Sequence, residues 1–402
     1  MANRLLRSHK VRALLLGSVY LLSRTTKRDP NLWLFAGLNS AFLDNAKYLF
    51  LHVVRNHPEI EAYFVSDDRD VLESLRSRGL PCLYKWSRRA LKSCLRARYY
   101  FISAYVDDIN FWTSGKAVVI NLWHGIPLKK IEFDITTGKL ARRYQQPTLS
   151  ERLFKPWFFR RPDFVISTSE EVAGLFASAF RISREQCPIL GYPRTDILLA
   201  SRDEVLAHIK TYESQAMLQL YEKMLGYRYV VLYAPTWRDD RSAFLKAALP
   251  DVEELNSIME AQDALMLIKL HPNDASFGKW CNLNHILSLD ATIDVYPLLP
   301  FTTHLVTDYS SIYFDYMLLR KPMLFYPFDL ETYRRMRGFY FDYEQVVPGT
   351  IAYDFYHLKE CLSDLDNISI GDRYGELLRR FWHFQDGNSS ERIVEFVKGL
   401  PC

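Results

Sequence analysis

The sequence is poor in ready-made site markers. Its six cysteines (Cys82, Cys94, Cys187, Cys281, Cys361 and Cys402) are scattered, with no C-x-x-C pair. That excludes a cysteine metal knot or a disulfide framework and fits thiols in a reducing compartment. No G-x-G-x-x-G follows the first predicted strand, so the dinucleotide fingerprint is missing. No Walker loop and no G-x-S-x-G elbow occurs, and no His, Asp or Glu set has clear metal-ligand spacing. The apolar run Ala13 to Leu22 falls short of the ~20 residues that span a bilayer. Charge is nearly balanced, 51 Lys and Arg against 47 Asp and Glu, and no nucleic-acid motif accompanies it. No nucleic-acid partner is expected. There is no internal repeat and no low-complexity tract.

What is present is a large stock of core residues. Hydrophobic residues make up 49% of the 402-residue chain and aromatics 14%, enough for two domains of roughly 150–200 residues. Positive charge clusters in residues 1–30, where Arg4, Arg7, Lys10, Arg12, Arg24, Lys27 and Arg28 flank the apolar run. That run ends in Ser-Arg-Thr-Thr-Lys-Arg, without the small-residue site of a cleaved signal peptide. The segment reads as a basic amphipathic helix. It suits an anionic membrane surface, with ~1 kcal/mol per basic residue. A first helix packed on its own domain fits the pattern equally.

From Asn31 onward, apolar strands alternate with amphipathic helices, the pattern of an α/β fold with parallel sheets covered on both faces. LWLFAG (32–37), AYFVSD (62–67), CLYKW (82–86), YYFISA (99–104), AVVINLWHG (117–125) and DFVIS (163–167) are the strands of a first half. YVVLYAPTWRDD (229–240), which turns at Pro235, ALMLIKLHPND (264–274), LSLD (287–290), LVTDYSS (305–311) and MLFYPFD (323–329) are those of a second. Residues 126–161 are basic and irregular. They are expected to form a mobile flap over an acceptor site, or a plain solvated connection.

Polar groups gather where strands end, the place where open α/β sheets bind ligands. Trp123-His124-Gly125 ends a strand in the first half. Thr236 with Arg238, His271-Pro272, and Thr307-Asp308-Tyr309-Ser310-Ser311 do so in the second. After Ser310 the apolar spacing turns helical, so a helix is expected to start there with a serine cap. A helix start carries unpaired N–H groups and a partial positive charge, which suits a phosphate. A single histidine at a strand end is usually structural. Two at equivalent places in two halves favour chemistry.

These segments carry a resemblance. NLWHGIPLKKI (121–131), GYPRTDIL (191–198), LYAPTWRD (232–239), IKLHP (268–272), the run from Val306 to Gly349 and DGNSSERI (386–393) occur in this order. Together they resemble the CDP-glycerol glycerophosphotransferases, the teichoic acid primases and polymerases, including relatives that use CDP-ribitol. AGLNSAFLDNAKYLF (36–50), with Asp44-Asn45, resembles the family's N-terminal segment.

The resemblance implies a GT-B-like pair of Rossmann-type domains facing across a cleft. Residues 31–190 would form the acceptor side and 191–402 the CDP-donor side. It maps two catalytic histidines onto His124 and His271. The donor diphosphate is expected at Ser310 and Ser311. Thr236, Arg238, Thr307, Asp308, Arg337 and Gly338 are expected on the donor side, and Asp44, Asn45, Gly125, Lys129 and Lys130 on the acceptor side. The implied partners are CDP-glycerol (or CDP-ribitol), a lipid-linked glycan acceptor and the cytoplasmic face of the cell membrane. The product would be a teichoic acid or capsule-type polymer. No cofactor is obligatory, and Mg²⁺ association with the diphosphate stays open. A nucleotide-sugar transferase of the same shape and a non-catalytic scaffold are the alternatives.

Overall fold

The apolar runs become strands, and every pairing between strands is parallel. The structure is a computed structural model that describes residues 9–236, 238, 244–269, 283–290, 292–336 and 338–401. The first sheet contains β1 (Asp29–Ala36), β2 (Glu61–Ser66), β3 (Cys82–Tyr84), β4 (Ala97–Ile102), β5 (Val118–Asn121) and β6 (Phe164–Val165). The second contains β7 (Tyr229–Ala234), β8 (Ala264–Lys269), β9 (Ile286–Leu289), β10 (His304–Thr307), β11 (Met323–Phe325) and β12 (Thr350–Ile351). Their orders are β3-β2-β1-β4-β5-β6 and β12-β11-β10-β7-β8-β9.

Both orders have the same doubly wound topology. In each, the first strand of the series lies beside the fourth, and the chain winds outward from there in both directions. The crossovers therefore leave to opposite sides at β1/β4 and at β7/β10, and a crevice opens at the carboxyl ends of those pairs. Strands buried on both faces explain the near-continuous apolar runs: all of β7 is buried, as are the last five residues of β1.

Contacts divide the chain into two units. One holds residues Met1–His124, Ile131–Asp196 and Asn388–Cys402, and the other Gly125–Lys130 and Ile197–Gly387. The expected division at 190/191 thus moves to Asp196, and the last helix changes sides. Helix Ser389–Lys398 is held in the first unit by Asp196, whose carboxylate accepts the backbone N–H of Ser389 (2.9 Å) and Ser390 (2.8 Å). Arg392 adds a bond to the Leu190 carbonyl at 3.0 Å.

One expectation needs correction. Residues 126–161 are not irregular throughout. They form helices Gly138–Gln145 and Leu149–Phe154, the second started by a capping box between Thr148 and Glu151. Glu132 anchors the segment, accepting from Tyr105 (3.0 Å) and Tyr144 (3.2 Å) hydroxyls, and burial pushes its carboxyl up to about 7. Of the two readings of the N-terminal segment, packing on its own domain is observed: helix His9–Ser23 lays one face on its own unit through Leu16, Val19 and Tyr20, with Tyr20 stacked on Phe111 at 4.9 Å. Arg28 is buried and donates to the carbonyls of Ser23, Cys94, Ala97 and Thr113, so it is not available to a membrane. Leu21 and Leu22 remain exposed. Among the described residues, no helix is long and apolar enough to cross a membrane.

Candidate functional site

In the first unit, β5 delivers His124 on a tightly constrained turn. Asn121 starts it: its Oδ1 accepts the Trp123 N–H at 2.9 Å and its Nδ2 donates to the Ala104 carbonyl at 3.0 Å. Trp123 then adopts φ 52°, in the left-handed region, and Gly125 takes φ 141°. A bulky residue at positive φ costs about 1–3 kcal/mol and persists only where its surroundings hold it. Here the surroundings are visible. Trp123 packs edge-on against Phe180 (5.1 Å) and Phe176 (6.3 Å), and its ring lies under the His124 imidazole at 4.2 Å.

The imidazole itself is oriented by a backbone carbonyl. His124 Nδ1 lies 3.0 Å from the Ser103 oxygen, just beyond the end of β4. A carbonyl only accepts, so Nδ1 carries the proton and Nε2 is the basic nitrogen. This is the tautomer a general base needs.

Two residues fix the carbonyls of this turn, and a third, Asp44, holds one of them. Asn45 Nδ2 donates to the Leu122 (3.2 Å) and Trp123 (2.9 Å) oxygens. Arg194 Nη1 donates to the His124 oxygen at 2.9 Å and to Asp44 Oδ1 at 2.6 Å, and the Arg194 N–H reaches Asn45 Oδ1 at 3.1 Å. Asn45 is fully buried and Arg194 nearly so. Asn45, expected on the acceptor side, is thus a positioning residue, and Asp44 ties Arg194 in place. Arg194 was absent from the expected set although its Pro-Arg-Thr-Asp motif stood out; nothing in the sequence links it to residue 124.

Arg194→Lys keeps the charge but cannot hold Asp44 and the His124 carbonyl with one planar group. A displacement near 1 Å costs about 10²-fold in rate. We expect kcat to fall by that order with the donor KM unchanged, measured by steady-state CMP release.

In the second unit the β7/β10 edge carries the corresponding polar groups. The Thr236 N–H donates to Asp308 Oδ1 at 2.8 Å, directly across the switch point, and Thr307 Oγ1 donates to the Ala234 carbonyl at 2.7 Å. Asp308 and Thr307 are fully buried. Arg238 is 1% exposed. Its Nε donates to Asp329 Oδ2 (2.8 Å), its Nη2 to Asp308 Oδ2 (2.9 Å) and Asp329 Oδ1 (2.8 Å), and its Nη1 to the Thr236 carbonyl. The Tyr309 and Tyr333 rings lie 5.0 and 4.8 Å from the guanidinium carbon. Burial alone would lower the Arg238 pKa, but Asp308 and Asp329 more than offset it and push it up. Arg238, Asp308 and Thr307, expected on the donor side, form a scaffold that ties the two central strands together. Every nitrogen of Arg238 already has an acceptor in the protein.

The residues this scaffold leaves at the edge are Ser310, Ser311 and Thr236, all half-buried. Helix Ile312–Tyr316 starts two residues later than the expected position, and the serine cap does not form. Ser311 is itself helical, with φ −66° and ψ −9°, and its side chain makes no cap bond. Ser310 Oγ receives only a long 3.5 Å contact from the Ile312 N–H. Thr236 Oγ1 is buried and has no hydrogen-bond partner among the described residues. Three hydroxyls therefore stand at the second switch point with, among the described residues, only the long Ile312–Ser310 contact between them.

Gly125, Lys129 and Lys130 were expected on the acceptor side. By contacts they belong with the second unit. The Lys130 N–H donates to the Gly338 carbonyl at 2.8 Å, and the Tyr340 N–H to Leu128 at 2.9 Å, forming a short antiparallel bridge at Lys129 and Phe339. Lys129 Nζ reaches the Tyr333 hydroxyl at 3.2 Å. His271 and Arg337 lie outside the described residues. Lys269, at the end of the strand before His271, donates to the Asp290 (3.0 Å) and Ile293 (2.6 Å) carbonyls, and burial lowers it to about 8.

Two identically wound Rossmann-type sheets, each with polar groups at its carboxyl edge, define a two-unit, doubly wound α/β protein. The wall teichoic acid polymerase TagF, solved after a soak with CDPG, shares this fold, with a TM-score of 0.76 and 22% identity over 97% of this chain and 96% of that one. The sequence model of the CDP-glycerol:poly(glycerophosphate) glycerophosphotransferases matches residues 18–399, and the chain belongs to that family. A teichoic acid glycerol-phosphate transferase of Staphylococcus aureus is 26% identical over 96% of this chain and 98% of its own length. A teichoic acid ribitol-phosphate primase of Bacillus spizizenii is 30% identical over 71% of this chain and 70% of its own. The chain spans about half, 46%, of a Bacillus subtilis teichoic acid poly(glycerol phosphate) polymerase that it also matches.

Proposed function

We propose that this glycerophosphotransferase moves glycerol phosphate from CDP-glycerol to a hydroxyl of a lipid-linked acceptor, in teichoic acid or capsule-type polymer synthesis. The acceptor oxygen attacks the β-phosphorus, a new P–O bond forms, and the bond to CMP breaks. The hydroxyl proton passes to His124 Nε2. The observation that carries this reading is the Ser103 carbonyl opposite Nδ1, which makes Nε2 the acceptor nitrogen. His271 would serve the leaving side by donating to a phosphate oxygen or to CMP. The diphosphate would lie at Ser310 and Ser311, where hydroxyls and the first N–H groups of the helix meet its charge. No metal is obligatory in this scheme, and Mg²⁺ would only add to the neutralisation. Apposition of the two units across a cleft, as in GT-B enzymes, is part of the proposal.

A peripheral position on the cytoplasmic face of the membrane is supported by one surface of the first unit. A groove of about 890 Å³ runs between the N-terminal helix and helix Leu149–Phe154, lined by Gly17, Leu21, Trp112, Leu149, Leu153 and Phe154. Leu149 is 74% exposed and Leu21 65%. Arg152 lines the same groove, and Arg24 and Lys27 are exposed just beyond the helix. Leucines beside arginines and lysines suit the boundary between acyl chains and anionic headgroups.

The test uses anionic vesicles carrying a lipid-linked glycan, supplied with CDP-glycerol or CDP-ribitol. Mass spectrometry should find glycerol phosphate added and CMP released in equal amounts. The Leu149→Asp/Leu153→Asp variant should sediment with the vesicles several-fold less. Transfer from CDP-ribitol alone would replace the donor, and unchanged sedimentation would remove the membrane surface.

A further inference from the structure

The first unit contains a second cluster of functional side chains, far along the chain from His124. Helix Asp44–Asn56 begins at the residues that hold the His124 turn. Its C-terminal half presents His52, and His57 follows as the residue that ends it, its N–H bonded to the Val53 carbonyl at 2.9 Å. Their rings lie 5.6 Å apart. The C-terminal helix brings Glu391 between them. Its Oε2 lies 2.8 Å from His52 Nε2 and 3.0 Å from His57 Nε2, and all three donor atoms fall within 4.8 Å of one another.

We propose that His52, His57 and Glu391 form a divalent transition-metal site, occupied by Zn²⁺, that clasps the C-terminal helix to the first unit. Two imidazoles and one carboxylate are a known donor set for this ion, with a fourth position left to water. Tetrahedral bonds of about 2.0–2.2 Å put neighbouring donor atoms roughly 3.3 Å apart. The two carboxylate–imidazole separations, 2.8 and 3.0 Å, need only a few tenths of an ångström of opening. The three side chains are 24%, 12% and 41% exposed, enough to admit water at the fourth position.

The surroundings fit as well. A metal-bound imidazole passes its remaining N–H to a carboxylate or carbonyl. Glu59 Oε1 lies 3.4 Å from His57 Nδ1, but the Lys398 ammonium lies between them, donating to Glu59 Oε1 (2.6 Å) and to His57 Nδ1 (3.2 Å), so it must swing aside for a metal-bound His57 to pass its Nδ1 proton to Glu59. The Asn56 amide lies 3.1 Å from His52 Nδ1, and turned over it presents its oxygen. Without the ion, each Nε2 carries a proton toward Glu391. With it, the ion takes the place of the proton on each Nε2, and the ring proton sits on Nδ1. A nitrogen-rich set with one carboxylate favours Zn²⁺ over Mg²⁺ or Ca²⁺.

The experiment titrates tag-free, full-length, metal-stripped protein with Zn²⁺ by calorimetry and follows thermal unfolding in parallel. One equivalent should bind, the unfolding midpoint should rise with Zn²⁺ concentration, and Co²⁺ should give the visible absorption of a tetrahedral site. Glu391→Gln and His57→Ala should each abolish that equivalent. Glu59→Gln should weaken it about 10–100-fold. Circular dichroism shows whether the variants are folded, and His52→Gln stands in for either one that is not. Absence of stoichiometric Zn²⁺ binding by the wild-type chain would overturn the proposal, as would binding unchanged in folded Glu391→Gln and His52→Gln. Donor turnover plays no part in the readout, so the transferase reading stands or falls separately.

Discussion

His124→Ala will lower the turnover of CMP release by about 10²–10⁴-fold and leave the donor KM near the wild-type value. The expectation follows from where the imidazole sits. Its Nδ1 is committed to the Ser103 carbonyl, so Nε2 is the nitrogen that can take a proton. The fold should survive, because the turn is held by Asn45 and Arg194 through backbone oxygens and not through the imidazole. The lost side-chain bond is worth only about 0.5–1.5 kcal/mol. His124→Gln is the sharper comparison. Glutamine can still donate to the Ser103 carbonyl, but it cannot accept the proton, so it should be as slow as alanine. If His124→Gln restored turnover, the imidazole would be a hydrogen-bond donor or spacer and not a base.

Arg238→Ala will destabilise the second unit by about 3–5 kcal/mol, the cost of breaking a buried ion pair from one side. Asp308 and Asp329 are 1% and 7% exposed, and without the guanidinium two carboxylates would face each other in a site closed to water. Arg238→Lys should recover little. An ammonium cannot reach both carboxylates and the Thr236 carbonyl in one plane. Urea unfolding followed by tyrosine and tryptophan fluorescence measures this directly. A phosphate-binding arginine would behave in the opposite way: its alanine variant would keep its unfolding midpoint and raise the donor KM. The two variants thus separate the proposed base from a scaffold group that the sequence places in equally prominent motifs.

That contrast shows where reading the chain worked and where it stopped. The strands were legible because each is an apolar run bounded by turn residues, and parallel sheets bury such runs on both faces. β12, only Thr350–Ile351, offers too few residues for any periodicity and was not foreseen. The strand-end positions of His124, Asp308 and Ser310 were legible from the same alternation. Their partners were not. Asp308 and Arg238 look like ligand-binding residues because both are polar and lie just after strands; only the fold shows that they bind each other. The serine pair was read as a helix cap, yet Ser311 is already helical, and its hydroxyl is left over for other work. The histidine pair at 52 and 57 meets Glu391 across 334 residues, a separation at which no spacing rule applies.

The central claim is a division of labour: a base on the first unit and a donor platform at Ser310 and Ser311 on the second. Calorimetric titration of CDP-glycerol into two variants tests it most directly. His124→Ala should bind donor with wild-type affinity, because its imidazole acts on the acceptor proton, while Ser310→Ala/Ser311→Ala should bind at least tenfold more weakly. Donor affinity lost in the histidine variant, or kept in the double serine variant, would contradict the account.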